Sequence, residues 1–313
     1  MVVRRNDRIV KWIADDLRYN GSDISRPQVG YRVIGNNMER MNMIGQRELL
    51  KKIDGQIERG KFPRASILIG EKGSGRKTLA YHISQKMNLD MCVVNPTLDE
   101  MTEVYNDLHK EMPPLSIYVF DDGDFIPDEA MDILKSMVED DIDATFIIIC
   151  EILDNIPQEI KKNAVTYMME TYSYEDKCDY FRLNRIDSFT EDQEEFVLET
   201  ATNIGEVKEM CYMDIDGLRQ SVRDMLDTLK TDENVSKIAF RENDDRFPIH
   251  ILWKAFIAVC GEQVEKKENS LIYCRLIAIT GDYLQELSMT EDTRDLFNSW
   301  LLAIEDEWTD FFA

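Results

Sequence analysis

The sequence predicts an α/β domain with a parallel sheet, followed by a small helical domain and a C-terminal all-α domain. Between residues 44 and 171, short apolar runs alternate with segments of helical periodicity. Strands that are apolar throughout are typical of a parallel sheet covered by helices on both faces. From residue 174 onwards, helical periodicity recurs in one segment after another, and a glycine-rich loop at residues 70–75 joins the first strand to its helix.

The segment before this domain, residues 1–42, is predicted to be an N-terminal extension. Its apolar residues recur at helical spacing over Ile9–Leu17, which indicates a short amphipathic helix. Such a helix exposes Trp12 on an apolar stripe, so it must be covered by the chain's own domain or by a partner. Gly21–Gly35 contains Pro27 and several turn-forming residues and is predicted to be a loop.

The α/β domain, residues 43–172, is predicted to begin with a helix within residues 44–60. Strands and helices then alternate, which favours βαβ units. The predicted strands are Ser66–Ile69, Met91–Asn95, Ser116–Phe120, Thr145–Cys150 and Val165–Thr171. The predicted helices are Leu79–Met87, Leu98–Lys110 and Asp128–Val138.

Two helical domains are predicted after the sheet, at residues 173–235 and 240–313. Thr190–Gln193 is a capping-box signature, in which the threonine and glutamine side chains bond to the first backbone N–H groups of a helix. Residues 203–205 are predicted to break the helical pattern. The predicted helices are Thr190–Thr202, Asp216–Leu229, Pro248–Cys260, Ser270–Leu287 and Thr290–Ile304.

The composition limits the compartment and the partners. The 313 residues are 43% hydrophobic and 31% charged, a balance typical of globular proteins. No apolar run approaches the roughly 20 residues needed to cross a bilayer, and the N-terminus lacks the apolar core of a signal peptide, so we expect a cytoplasmic protein with no membrane contact. The net charge of −24, from 61 acidic and 37 basic side chains, repels nucleic acid phosphates and predicts only indirect contact with DNA.

The cysteines and histidines form no pattern of a metal site or a catalytic nucleophile. No two of the six cysteines stand two to four residues apart, the spacing of zinc-binding modules. The three histidines are scattered, without a neighbouring set of cysteine or carboxylate residues. We therefore predict neither a metal site nor a catalytic triad.

The glycine-rich loop predicts a degenerate nucleotide site. A phosphate-binding loop has the pattern G-x-x-x-x-G-K-[ST]. Counted from Gly70, the second glycine is Gly75, but the lysine slot holds Arg76, the Ser/Thr slot holds Lys77, and Thr78 comes one position late. The backbone of the site is predicted to be present, while the side chains that handle phosphate and magnesium have changed. Gly73 and Ser74 complete the predicted loop.

The order of the motifs resembles the clamp-loader branch of the AAA+ ATPases over nearly the whole chain after residue 42. Met43–Gln46 resembles the start of the family's α/β domain, Asp121–Asp124 lies where the family has its Walker B carboxylates, and Thr145–Cys150 resembles the sensor-1 strand. The resemblance implies an AAA+ P-loop domain, a helical lid and a collar domain. Among clamp-loader subunits, the domain order is most similar to delta-prime subunits of bacterial DNA polymerase III, many of which carry zinc-ligating cysteines that this chain lacks.

Several positions depart from what the resemblance requires of an active ATPase. Asp122 is one methylene shorter than the usual glutamate, Ile152 occupies the polar sensor-1 position, and residues 162–164 replace the Ser-Arg-Cys trio that supplies an arginine finger. In the lid, Glu206 occupies the sensor-2 arginine slot, where a carboxylate would repel a triphosphate. An alternative register places Arg219 in that slot.

The resemblance therefore implies a non-hydrolysing, delta-prime-like subunit of a hetero-oligomeric clamp loader. It would need no cofactor, although weak ATP, ADP or phosphate binding remains an expectation because backbone amides at a helix start bind anions. Its partners would be ATP-binding clamp-loader subunits and the sliding clamp. Three alternatives stay open: a delta-like subunit that opens the clamp, a divergent active ATPase that uses Lys77 and Thr78, and a stand-alone interaction protein with an AAA+ shape.

Candidate partner contacts fall in three segments. Phe125 and Ile126 lie in a loop and are interpreted either as an apolar wedge or as a loop anchored in the core. Lys161 and Lys162 are candidates for replacing the arginine finger as point charges. The C-terminus resembles a clamp-binding peptide, but its apolar residues also step by four, as on a buried helix face. The C-terminal candidates are Trp308, Phe311 and Phe312.

Overall fold

The computed structural model describes residues 43–110, 116–140, 142–184, 186, 188–231, 247–266, 269–287, 290 and 292–312, together with the backbone of residues 32–34. The strands are β1 Arg32–Ile34, β2 Ala65–Ile69, β3 Asp90–Val94, β4 Ser116–Phe120, β5 Thr145–Cys150 and β6 Val165–Met168. The helices of the α/β region are α1 Arg47–Glu58, α2 Arg76–Met87, α3 Leu98–Leu108, α4 Asp128–Glu139 and α5 Gln158–Asn163. The later helices are α6 Tyr174–Asn184, α7 Glu191–Thr200, α8 Ile204–Met210, α9 Ile215–Lys230, α10 Ile249–Glu265, α11 Ser270–Leu287 and α12 Thr293–Phe312.

The strands form one sheet in the order β1-β3-β4-β5-β2-β6. All neighbours from β3 to β6 are parallel, as predicted, whereas β1 is antiparallel to β3, with Ile34 opposite Met91. The prediction of a loop over Gly21–Gly35 is therefore wrong at residues 32–34. A three-residue strand at a sheet edge is too short for periodicity to reveal it. Only its pairing with β3, which lies far along the chain, makes it recognisable as a strand. The rest of that predicted loop and the predicted helix Ile9–Leu17 lie outside the described residues.

Both faces of the sheet are covered by helices. Alternate strand residues point to opposite faces, and on one face they pack against apolar residues of α3, α4 and α5 such as Met101, Leu134 and Ile160. On the other face they pack against α1 and α2 through residues such as Ile53 and Leu79. This burial on both sides is why the strands are apolar throughout, and it confirms the predicted parallel α/β class.

The helices after β6 share one apolar core. It joins residues of α6–α9 to residues of α10–α12 and includes the fully buried Trp253 and Trp300. The predicted boundary between two helical domains falls at residues 235–240, outside the described residues. The capping box of α7 is present, with Thr190 accepting from the Gln193 N–H and Gln193 bonding to the Thr190 N–H.

Two predicted boundaries are corrected by this structure. The break predicted at residues 203–205 lies at residues 201–203, between α7 and α8, because Asn203 is the N-cap of α8 and its side chain accepts a hydrogen bond from the Glu206 N–H. Asparagine favours a turn, but it is equally favoured at a helix start. The last strand is also shorter than predicted, since β6 ends at Met168. Within the described residues, no helix is long and apolar enough to span a bilayer.

Candidate nucleotide site

The glycine loop lies at the carboxyl edge of the parallel strands. The N–H of Gly70 donates to the carbonyl of Cys150 at the end of β5, at 3.3 Å, and the N–H of Met169, just after β6, donates to the carbonyl of Ile69 at 2.8 Å. The loop thus starts between the ends of β5 and β6. Ligands of open parallel sheets bind beyond the carboxyl ends of the strands, so the loop occupies the place expected for a binding site.

Three glycines fix the shape of the loop. Gly73 and Gly75 have φ angles of +88° and +89°, a backbone conformation that favours glycine. At Gly70, an added Cβ would lie 2.7 Å from Cγ of Met169. The sequence pattern of glycines therefore corresponds to a backbone that other residues would strain.

The loop keeps backbone and hydroxyl groups that suit an anion. The first helical residues of α2 have N–H groups without an intrahelical acceptor, and a helix N-terminus favours negative charge. Ser74 is 6% exposed, and its hydroxyl has no hydrogen-bond partner among the residues that the structure describes. A Cβ added to Gly70 would lie 2.7 Å from this hydroxyl oxygen, which places the oxygen at the inner side of the loop.

Both cations that follow the loop are paired with carboxylates. Nη2 of Arg76 lies 3.1 Å from Oε1 of Glu151, and the Arg76 side chain is only 10% exposed. Lys77 forms an ion pair with Asp121, although the Lys77 side chain is 65% exposed. Asp121 and Glu151 directly follow β4 and β5, so the strand ends neutralise the charges that a phosphate would meet. Thr78 is half-buried in the first turn of α2.

A second carboxylate holds Glu151 in place. The Asp124 carboxylate accepts hydrogen bonds from the N–H groups of Glu151 at 2.5 Å and of Ile152 at 2.8 Å. Sequence reasoning missed Glu151 and included Asp124 only as part of the Walker B-like segment, without a role of its own. Their positions in the sequence could have revealed their place in the site, because both closely follow apolar strands whose carboxyl ends meet at one edge of the sheet. Asp122, which was predicted, has a left-handed backbone with φ of 51° and is exposed.

The thiol closest to this edge, Cys150, is not a nucleophile. Burial is the main cause that raises its pKa to about 12, and the charge of Asp124 adds to it, while Arg76 acts in the opposite direction. A thiol with so high a pKa stays protonated at neutral pH and is unreactive.

The helical region contacts the outer side of the loop. Nδ2 of Asn203 donates to the carbonyl of Lys72 at 3.2 Å, and the N–H of Gly205 donates to the carbonyl of Gly73 at 3.0 Å. A Cβ added to Gly73 would lie 2.4 Å from Oδ1 of Asn203. The N-terminus of α8 therefore lies directly against the loop.

Neither predicted sensor-2 register directs a free charge at the loop. Glu206 was expected to repel a phosphate, but its carboxylate accepts hydrogen bonds from the N–H and hydroxyl of Thr202 at 2.8 and 3.0 Å and forms an ion pair with Lys254 of α10. In the alternative register, the Arg219 guanidinium donates to carboxylates of Asp192 and Glu262 at 2.6 and 2.7 Å. Sequence spacing could not reveal these partners, which come from distant helices.

The structure separates the candidate partner contacts. Phe125 is 74% exposed, whereas its neighbour Ile126 is 8% exposed and packs in the core of the α/β domain, so the two do not form one exposed wedge. The Lys161 side chain is 15% exposed and its Nζ lies 4.0 Å from the Asp154 carboxylate, while Lys162 is exposed.

The C-terminal candidates belong to a continuous helix. Trp308 is 7% exposed and packs in the helical core beside Tyr273. Phe311 is partly buried beneath the Arg275 guanidinium, and Phe312 is 53% exposed. The apolar step of four residues thus corresponds here to a buried helix face.

No protein-family model matches the chain, and no curated protein matches it by sequence. Among solved structures, it is similar to the RuvB Holliday junction branch migration motor of Thermotoga maritima, at 18% sequence identity and a TM-score of 0.46, with 65% of this chain and 71% of that chain covered. Two mutant structures of that RuvB are similar at 18% and 19% identity, with TM-scores of 0.46 and 0.45, over 65% of this chain and 72% and 71% of theirs. This likeness concerns the course of the backbone, and no activity, substrate or partner follows from it.

Proposed function

We propose that this chain is a non-hydrolysing AAA+ subunit of a clamp-loader-type assembly, with a delta-prime-like role beside ATP-binding subunits. One observation carries the first half of the proposal: the glycine loop is intact, while Arg76 and Lys77 are each paired with a carboxylate from a strand end. The backbone of the loop thus suits a phosphate, whereas the cations beside it are already paired with carboxylates.

The chemistry of phosphoryl transfer explains why this pairing favours an inactive site. Catalysis depends on a lysine that neutralises the β- and γ-phosphates and on a hydroxyl that binds Mg²⁺. Arg76 offers a broad planar fork already bonded to Glu151, and the hydroxyl slot holds the cation Lys77. Lys77 also pairs with Asp121, a strand-end carboxylate of the kind that helps to hold Mg²⁺ in an active site.

The contacts of α8 support a rigid rather than a switching subunit. The backbone of Gly205 and the side chain of Asn203 hold α8 on the loop, and Glu206 holds it to α10 through Lys254. These contacts need no nucleotide. A member of the ring whose helical region stays in place would serve as a fixed partner for moving neighbours. The clamp-loader assignment itself, with the sliding clamp as a further partner and DNA contacted only indirectly, rests on the sequence resemblance.

Two measurements test the proposal. The purified chain should hydrolyse ATP far more slowly than the roughly 1 per second of ordinary enzymes, and the double variant Arg76→Lys with Lys77→Thr, which restores the motif, should bind ATP and Mg²⁺ more tightly than the parent. Hydrolysis by the unmodified chain at enzymatic rates would contradict the inactive site. Native mass spectrometry of the complex should find one copy of this chain beside several copies of an ATPase, and a homo-oligomer would contradict the clamp-loader role.

A divergent active ATPase is the second candidate, and the 65% exposure of the Lys77 side chain, which leaves it accessible to a ligand, favours it. A lysine beside a strand-end carboxylate is close to where a phosphate and its metal would be held. In that case Lys77→Ala should abolish tight nucleotide binding and Arg76→Ala should preserve it. Equal, weak binding by both variants and by the parent would exclude this candidate.

A delta-like role is the third, and the exposed ring of Phe125 favours it. Phe125→Ser should then weaken clamp binding by the isolated chain, whereas a delta-prime-like subunit should bind the clamp equally with or without the ring.

A further inference from the structure

Tyr172 contacts the end of the glycine loop, whereas α8 contacts the loop at Lys72 and Gly73. Its hydroxyl donates to the carbonyl of Ser74 at 2.9 Å. A Cβ added to Gly75 would lie 3.0 Å from this hydroxyl, and one added to Gly45 would lie 3.0 Å from Cε1 of the ring. The ring therefore fills the space between the segment that precedes α1 and the end of the loop.

The surroundings of the ring are apolar beside the loop and polar beside Gly45, where Cγ of Asp176 lies 3.3 Å from the position of an added Cβ. The methyl group of Met43 lies 3.6 Å from the position of a Cβ on Gly75, and Cε of Met169 lies 3.9 Å from it. Burial raises the pKa of the Tyr172 phenol, so the hydroxyl remains a hydrogen-bond donor at neutral pH. The Tyr172 ring is thus a planar, mostly buried group with one polar contact to the loop. An aromatic ligand at the same place would have the same features.

The other sides of the loop are closed by contacts that are harder to undo. On the α8 side, the backbones of Gly73 and Gly205 touch directly. On the sheet side, Arg76 and Lys77 are paired with Glu151 and Asp121. At Ser74 and Gly75, by contrast, the contact is made by the Tyr172 side chain, which can rotate about its own single bonds.

We propose that Tyr172 is an internal stopper: its ring occupies the place of the planar group of a ligand whose phosphate would lie at the glycine loop. This inference rests on the proposed loss of nucleotide chemistry at the same loop and adds a second, steric reason for it. A ligand with a phosphate alone, such as inorganic phosphate, does not need the occupied space. A ligand that joins a phosphate to a planar heterocycle, such as ADP, does.

The test compares these two probes by calorimetry in two backgrounds, the parent chain and the double variant Arg76→Lys with Lys77→Thr. Tyr172→Ala should tighten ADP binding about tenfold or more in at least one background, and should leave the affinity for inorganic phosphate unchanged. Tyr172→Phe, which keeps the ring and loses only the hydroxyl, should leave ADP binding close to that of its own background. If circular dichroism shows that the alanine variant is unfolded, Tyr172→Leu gives the same comparison, because leucine is smaller than tyrosine and is not planar.

Each remaining outcome overturns the stopper. One such outcome is no gain in ADP affinity in either background for a folded variant, and another is an equal gain for inorganic phosphate, which would mean that the ring blocks the loop itself. The proposed function fails on a different result, ATP hydrolysis by the unmodified chain, so the two failures are distinguishable.

Discussion

The backbone N–H of Gly205 donates to the carbonyl of Gly73 at 3.0 Å, and the two residues touch without any side chain between them. Gly73 belongs to the glycine loop at the end of β2, and Gly205 to the first turn of α8. A contact this close requires glycine on both sides. It joins the glycine loop of the α/β domain to the helical region, whose core continues as far as α12.

Replacing Gly205 by alanine should break this contact. A Cβ there would lie 2.3 Å from Cα and 2.9 Å from the carbonyl oxygen of Gly73, and a backbone cannot yield as a side chain does. We expect a loss of about 1–3 kcal/mol in the free energy of unfolding, measured by urea denaturation. Gly281→Ala is the control, because a Cβ meets nothing within 4 Å in the middle of α11. It should stabilise the chain by about 0.5–1 kcal/mol, and an equal effect of both substitutions would contradict the close contact.

The ion pair between Glu206 and Lys254 should contribute more than a surface pair. Their side chains are only 9% and 16% exposed. Glu206→Gln or Lys254→Met alone leaves a buried charge without its partner and should cost about 3 kcal/mol. The double variant should cost clearly less than the sum of the two, since it leaves neither charge. Lys110→Met, which removes an exposed partner of Asp107, should cost at most about 0.5 kcal/mol. Strict additivity of the two buried substitutions would mean that they do not interact.

The pairing of Glu209 with His250 predicts a dependence of stability on pH. The hydrogen bond from His250 is the main cause that lowers the pKa of the Glu209 carboxyl below its ordinary 4.5, while burial opposes it. A carboxyl whose pKa is lower in the folded state stabilises that state above pH 4.5 and loses this contribution as the pH falls through its folded value.

Glu209→Gln lacks this titration, so its melting temperature should fall below that of the parent above pH 4.5 and approach it in more acidic solution. The measurement is a series of thermal melts from neutral to acidic pH. A difference that stays constant over the whole series would contradict the assignment.

The hydrogen bond between two buried side chains, Trp300 and Thr280, gives a test of the helical core. The indole N–H donates to the Thr280 hydroxyl at 3.0 Å, and both residues are fully buried. Thr280→Val keeps the shape but leaves the N–H without an acceptor, which should cost about 1–3 kcal/mol in chemical denaturation. Thr309→Val is the matched control. The Thr309 hydroxyl, like that of Thr280, donates to a carbonyl four residues earlier, but the Thr309 side chain is exposed. Its effect should be within about 0.5 kcal/mol, and similar costs for both would exclude the buried bond as the cause.

Most of the fold could be predicted because the strands and helices differ in period and in burial. Ser116–Phe120 and Thr145–Cys150 are buried along their length, and both strands have their predicted bounds. Ser270–Leu287 is likewise as predicted. The strand at residues 32–34 was missed, because three residues carry no period and only its pairing with β3 makes it a strand.

The candidate site could be predicted only in part, because some of its features are local in sequence and others are not. The loop glycines follow from a local pattern, because a left-handed backbone at Gly73 and Gly75 needs glycine wherever they fold. The partners of that loop do not follow from any local pattern. Glu151, Tyr172 and Gly205 come from three different segments, and only the folded chain brings them to the loop.

The sequence by itself determined the parallel α/β class, the helical remainder and a glycine loop at the first strand, since these depend on periodicity and on which residues tolerate a given backbone. Only the tertiary structure decided which partners the charged side chains around that loop have. Arg76 meets Glu151, Lys77 meets Asp121 and Glu206 meets Lys254, because side chains distant in sequence are held within a few ångströms of each other, where an opposite charge is the strongest available partner.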